Sequence, residues 1–169
     1  MASWQFDLHC LSREVVQKKF GQLPLKMSFE KFNRESHWLA PTCLKSLKAK
    51  LTRILSPMVT SGESLSWGTD EGDRVDLLAP EGLLQECFVR IDVRSTSKAF
   101  LVNLVQVAKE WDWLFYTQDH EIVQPTFYHL LFAIRKSGAF RFVEDPQGFF
   151  EELKRNELRL KEEEYFGIV

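Results

Sequence analysis

Residues 84–94 constrain this chain more than any other stretch. Cys87, Val89, Ile91 and Val93 fall on alternate positions, with Glu86, Arg90, Asp92 and Arg94 between them and Phe88 as the one departure. A period of two belongs to an extended strand, because successive side chains point to opposite faces. The pattern therefore predicts a sheet with one buried and one charged face. Just upstream, Arg74-Val75-Asp76-Leu77-Leu78 is a second strand-like run. Ala79-Pro80-Glu81-Gly82 between the two suits a turn, so they predict an antiparallel hairpin. On adjoining strands the charges of Arg74, Asp76, Arg90, Asp92 and Arg94 are expected to pair across the ladder.

The remaining periodicities supply strands and helices to flank that hairpin. Trp4, Phe6, Leu8 and Cys10 alternate with polar residues and predict a first strand. Ser28 can cap a helical turn holding Phe29, Phe32 and Trp38, with Pro41 breaking it. Leu44, Leu47, Leu51, Ile54 and Leu55 make a helical stripe, with Lys45, Lys48, Lys50 and Arg53 largely off it. Turn-forming residues before and after Trp67 predict loops on either side of it. Ser95, Thr96 or Ser97 caps a largely apolar helix over 98–110, the central core element. Trp113 to Thr117 and Glu121-Ile122-Val123 predict a short hairpin. Pro125-Thr126 opens a helix with Phe127, Leu130, Leu131 and Ile134 on one face, and Ser137-Gly138 stops it. Asp145-Pro146 opens a last helix carrying Phe149, Phe150 and Leu153, and residues 154–169 form a charged helical tail. The sum is one α+β domain over 1–169, a mostly antiparallel sheet of about four to five strands packed against helices.

Composition narrows the function classes. The net charge of −2 gives no overall reason to expect nucleic acid or an anionic membrane as partner. The stripe Lys45, Lys48, Lys50 and Arg53 is the one basic patch, and it lacks the interleaved aromatics of a nucleic-acid surface. Cys10, Cys43 and Cys87 are odd in number and widely spaced, which predicts neither a disulfide framework nor a zinc site. Each lies on an expected apolar face, where a thiol acts as a small hydrophobe. The opening residues lack the basic and apolar stretches of a signal peptide, and no apolar run is long enough to span a bilayer. The expected location is the cytoplasm.

No Gly-x-Ser-x-Gly, Gly-x-Gly-x-x-Gly or Gly-Lys-Ser/Thr signature is present, and His9, His37, His120 and His129 are scattered. The reading is therefore a protein without catalytic residues, resident metal or cofactor. One carboxylate group supports an alternative: Asp70, Asp73, Asp76 and Asp92 could bind a divalent cation in a metal-dependent hydrolase. Against that, Arg74, Arg90 and Arg94 interleave with the carboxylates and account for them as ion pairs. The ingredients of a protein-binding surface are better represented, because Trp67 and Trp111 lie beside the charged hairpin. The candidate partner-binding residues are Trp67, Asp73, Arg74, Asp76, Arg90, Asp92, Arg94 and Trp111.

The run Trp67-Gly68, Gly72-Asp73-Arg74-Val75-Asp76, Phe88-Val89-Arg90-Ile91-Asp92-Val93-Arg94, Trp113-Leu114, Pro125-Thr126 and Phe142-Val143-Glu144-Asp145-Pro146 resembles small bacterial α+β proteins of the toxin-immunity type. The resemblance covers about 67–153. It implies a fold, and a function as a cytoplasmic inhibitor whose partner is another protein, a secreted toxin.

Overall fold

The computed structural model describes residues 3–34, 38–40, 43–59, 62–148 and 151. Strands β1 (Gln5–Ser12), β2 (Ser64–Gly68), β3 (Arg74–Leu78), β4 (Glu86–Asp92), β5 (Trp113–Thr117) and β6 (Ile122–Val123) form one antiparallel sheet in the order β2-β3-β4-β1-β5-β6. The fold is α+β as expected, with six strands where the sequence predicts four to five. The added strand is β2, which takes in Trp67 where loops are predicted. Only Leu65 and Trp67 of its five residues are apolar, too short a pattern to register as a strand. The β3–β4 hairpin forms as predicted, with a 3-10 turn at Pro80–Gly82.

One sheet face carries the main core. Phe6, Leu8 and Cys10 of β1, Trp67, Val75, Leu77, Cys87, Val89, Ile91, Trp113 and Phe115 join one buried cluster with the helices above them. Helix α3 (Leu44–Ile54) contributes Leu47 and Leu51, and α4 (Lys98–Glu110) contributes Phe100, Leu101, Leu104, Val105, Val107 and Ala108. Ser97 caps α4 by accepting the Phe100 N–H at 3.0 Å. Thr126 does the same for α5 (Phe127–Lys136), accepting from His129 at 3.1 Å.

At Ser137 the sequence predicts only a stop, yet a further helix, α6 (Gly138–Glu144), follows at once. The Ser137 hydroxyl donates to the Ile134 carbonyl at 2.6 Å and accepts the Phe140 N–H at 3.3 Å. One side chain thus satisfies the end of one helix and the start of the next. Asp145 takes its predicted capping role, accepting the Gly148 N–H at 3.0 Å. Phe149, Phe150, Leu153 and the charged tail 154–169 lie outside the described residues.

The opposite sheet face is covered over only part of its width. Leu11, Val16, Met27, Trp38, Leu114, Tyr116 and Ile122 form a second, smaller core under α1 (Arg13–Phe20) and α2 (Phe29–Arg34). Helix α1 is not foreshadowed by a long apolar stripe; its ends are set by Ser12, whose hydroxyl accepts the Val15 N–H, and by Gly21 at φ 73°. Trp38, expected on the same helix as Phe32, stands beyond its end and reaches back, its indole N–H donating to the Phe32 carbonyl at 3.0 Å. This second cluster reaches no residue of β2, β3 or β4. The expectation of one buried and one charged face therefore holds for that half of the sheet, while β1 is covered on both sides.

Both sheet edges are partly paired with loop backbone. Beside β2 the Met58 and Gly68 N–H groups bond the Ser66 and Ser56 carbonyls, each at 2.8 Å. Beside β6 the Ile122 N–H bonds the Leu25 carbonyl at 2.9 Å. These contacts cover part of each edge and work against edge-to-edge strand addition. Cys43 departs from expectation: it is exposed at the start of α3, and the Ser46 hydroxyl beside it holds its thiol below the usual range. Cys10 and Cys87 are buried as predicted. Among the described residues no helix is long and apolar enough to cross a membrane.

Candidate functional site

Antiparallel register lines the side chains of the partly open face into rows. One row runs Ser66, Asp76, Phe88, His9, Tyr116, Ile122 from β2 across to β6. The next runs Gly68, Arg74, Arg90, Asp7. The first row passes from a hydroxyl and a carboxylate, through a half-buried aromatic pair in the middle of the sheet, to Tyr116 stacked under Phe32 at 4.5 Å. Among the described residues the second core does not extend over β2, β3 and β4, and there the side chains of Arg74, Asp76 and Arg90 are each about a quarter exposed.

The register corrects the expected cross-strand charge pairing, because Arg74 stands directly opposite Arg90. Like charges placed so repel, and each guanidinium turns elsewhere. The Arg74 Nε donates to both carboxylate oxygens of Asp76, two residues along its own strand, at 2.9 Å, and its Nη1 reaches Asp70 at 2.6 Å. Arg90 turns to Asp7 on β1 at 3.4 Å. The Ser66 hydroxyl holds Asp76 from the other side. Asp7 is buried, with Oδ2 lacking a hydrogen-bond partner, and burial pushes its carboxyl above the usual range despite Arg90. The result is an array of fixed, locally neutralised ion pairs around Phe88.

Asp73, Asp92 and Arg94 belong to a different construction. The Asp92 carboxylate accepts from the Arg94 backbone N–H at 3.0 Å, from Arg94 Nε and Nη2 at 2.9 and 2.8 Å, and from the Ser95 hydroxyl at 3.1 Å. Asp73 accepts from the Asp92 N–H and the Thr96 hydroxyl, both at 3.0 Å. Arg94 lies over the Trp4 ring at 4.1 Å. Together they tie the β2–β3 loop to the end of β4 and the entry to α4. Arg94 holds the Asp92 carboxyl below the usual range, whereas burial pushes Asp73 above it. Among the described residues no three His, Cys, Asp or Glu side chains converge to hold a metal ion.

Trp67 and Trp111 lie with the main core. Trp67 is 3% exposed and donates its indole N–H to Thr52 at 3.0 Å. Trp111 packs against the same cluster, under Lys50, which also pairs with Glu110. Of the eight residues picked from the sequence, Arg74, Asp76 and Arg90 thus meet on the open face. Phe88, His9, Asp7 and Glu86 join them there without having been picked. Their signal was Phe88 itself, the apolar residue out of phase with its strand.

At the covered margin of this face, α2 stands over β1 and leaves a cleft of about 380 Å³ that β4 borders on its other side. Its walls include His9, Phe29, Phe32, Asn33, Trp38 and Glu86. His9 lies between Phe32 and Phe88, with ring centroids 4.8 and 5.1 Å away. Burial lowers its affinity for a proton, which favours the neutral imidazole. Through Phe88 and His9 the cleft and the open face form one continuous surface. Comparison with protein-family models, curated proteins and solved structures finds no match to this chain.

Proposed function

We propose that this chain is a non-catalytic protein-binding domain that docks through the open half of its sheet. In this reading it is an immunity-type inhibitor, which silences a bacterial toxin by covering it. The observation that carries the reading is Phe88, a half-buried aromatic ring in the middle of the sheet face beyond the second core, flanked on one side by the ion pairs Arg74–Asp76 and Arg90–Asp7. An apolar anchor inside a polar rim is how binding energy is concentrated in protein interfaces. Side chains held before the encounter lose little further entropy on docking. Arg74 and Arg90, each tied to a carboxylate, present guanidinium edges and stacking faces to a partner without leaving a charge unpaired. With both sheet edges partly paired to loop backbone, the face is favoured over an added strand as the docking mode. The resemblance over 67–153 supports the immunity reading in particular.

Affinity capture from the cells that encode the chain tests this. The wild-type protein should retain a stoichiometric protein partner, Phe88→Asp should lose it, and Phe132→Asp, at an exposed ring outside the face, should keep it. Circular dichroism melting verifies that both variants are folded. Capture that survives Phe88→Asp, or that fails with Phe132→Asp instead, overturns the proposal.

A further inference from the structure

We infer that the cleft between α2 and the β1–β4 pair receives a guanidinium, the side chain of an arginine carried by the partner protein. The inference rests on the docking reading above and specifies what the partner inserts at the margin of the face.

The first argument is charge. Asp7 and Asp76 each hold an arginine, but Glu86, on the same sheet face and in the cleft wall, has no counter-ion among the described residues; Leu78 stands opposite it. Among the described residues no lysine or arginine lines the cleft. The site therefore has, among the described residues, one unpaired anion and no cation.

His9 is the second argument. Its ring is in contact with Phe32, Phe88 and Tyr116, and neither of its nitrogens has a hydrogen-bond partner among the described residues. A neutral imidazole in that position offers one lone pair to an incoming N–H and does not repel a positive charge.

Shape and rigidity complete the case. Phe29 and Phe32 supply ring surface, and Trp38 is fixed behind them, stacked between Phe20 and Phe32 and hydrogen-bonded to the Phe32 carbonyl. A guanidinium is planar, weakly hydrated and stacks on aromatic faces, and its fork of donors can serve a carboxylate and a second acceptor together. Glu86 and His9 are that carboxylate and that acceptor.

The test follows the ring signals of His9 by NMR in the full chain with isotope-labelled histidine, assigned with a His9→Gln variant. The probe is N-acetyl-arginine amide, with N-acetyl-citrulline amide as its uncharged isostere. The arginine probe should shift the His9 signals saturably, citrulline should bind at least about 10-fold more weakly, and Glu86→Gln should weaken the arginine probe by about 10-fold, the worth of one charge-assisted pair. Absence of a saturable response, an equal response to citrulline, or indifference to Glu86→Gln overturns the inference. The two readings fail separately. A His9 response together with capture by Phe88→Asp leaves the cleft standing and removes the docking face. Loss of capture with no arginine response does the reverse.

Discussion

Replacing Gly68 with alanine lowers stability by roughly 3 kcal/mol and the melting temperature by about 10 °C. Gly68 ends β2 at φ 109°, a backbone region that side-chain-bearing residues rarely adopt. A Cβ there would sit 2.0 Å from the Asp73 carbonyl oxygen, which also receives the Thr69 N–H at 3.3 Å. The neighbour is backbone, so no rotamer change relieves the overlap, and the turn that delivers Asp73 to β4 must shift. Gly21 is the control: it also has positive φ, but a Cβ there meets nothing within 4 Å, so Gly21→Ala should cost about 1 kcal/mol, the conformational part alone. Equal costs in urea denaturation would contradict the account.

Asp92→Ala is expected to cost about 2 kcal/mol, because it leaves the Arg94 backbone N–H and the Ser95 hydroxyl without their acceptor and frees the Arg94 guanidinium. Its effect on acid stability carries a sign. Arg94 depresses the Asp92 carboxyl below its usual 3.8, so the contribution of Asp92 is present above that value and is lost as pH falls through the lower, folded one. Asp7 and Asp73 are raised above 3.8 by burial; their contributions are present below that value and are lost as pH rises through the folded ones. In the wild-type protein these trends oppose one another across the acid range. In Asp92→Ala the first trend is gone while burial still raises Asp7 and Asp73, so relative to the wild type the stability of the variant should decline as pH rises through the acid range around 3.8. Urea midpoints measured across that range give the slope, and a rising one would contradict the assignment.

Much of the architecture was legible in the alternation of 84–94 and the apolar helix over 98–110. Local pattern reports what a segment must bury, and these segments bury one face each. What escaped was set by tertiary context. Helix α1 covers little beyond Val16, so no long stripe marks it. Trp67 and Trp111 looked like surface anchors because neighbouring charges and loop residues flank them in sequence, yet the rings turn back into the core. The pairing of Arg74 with Asp76, and of Arg90 with Asp7, depends on register and on β1 entering beside β4, neither of which a single strand encodes. Phe88 was visible as a break in phase. Its meaning required knowing that the face it breaks is left open.

The account turns on that open half-face being the surface a partner covers. Hydroxyl-radical footprinting of the captured complex measures this directly, since it reads side-chain exposure residue by residue. Oxidation of Phe88 and His9 should fall on partner binding while Tyr128 and Phe132, exposed on α5, keep their unbound rates. Protection of Tyr128 and Phe132 with Phe88 unchanged would place the partner elsewhere and contradict the account.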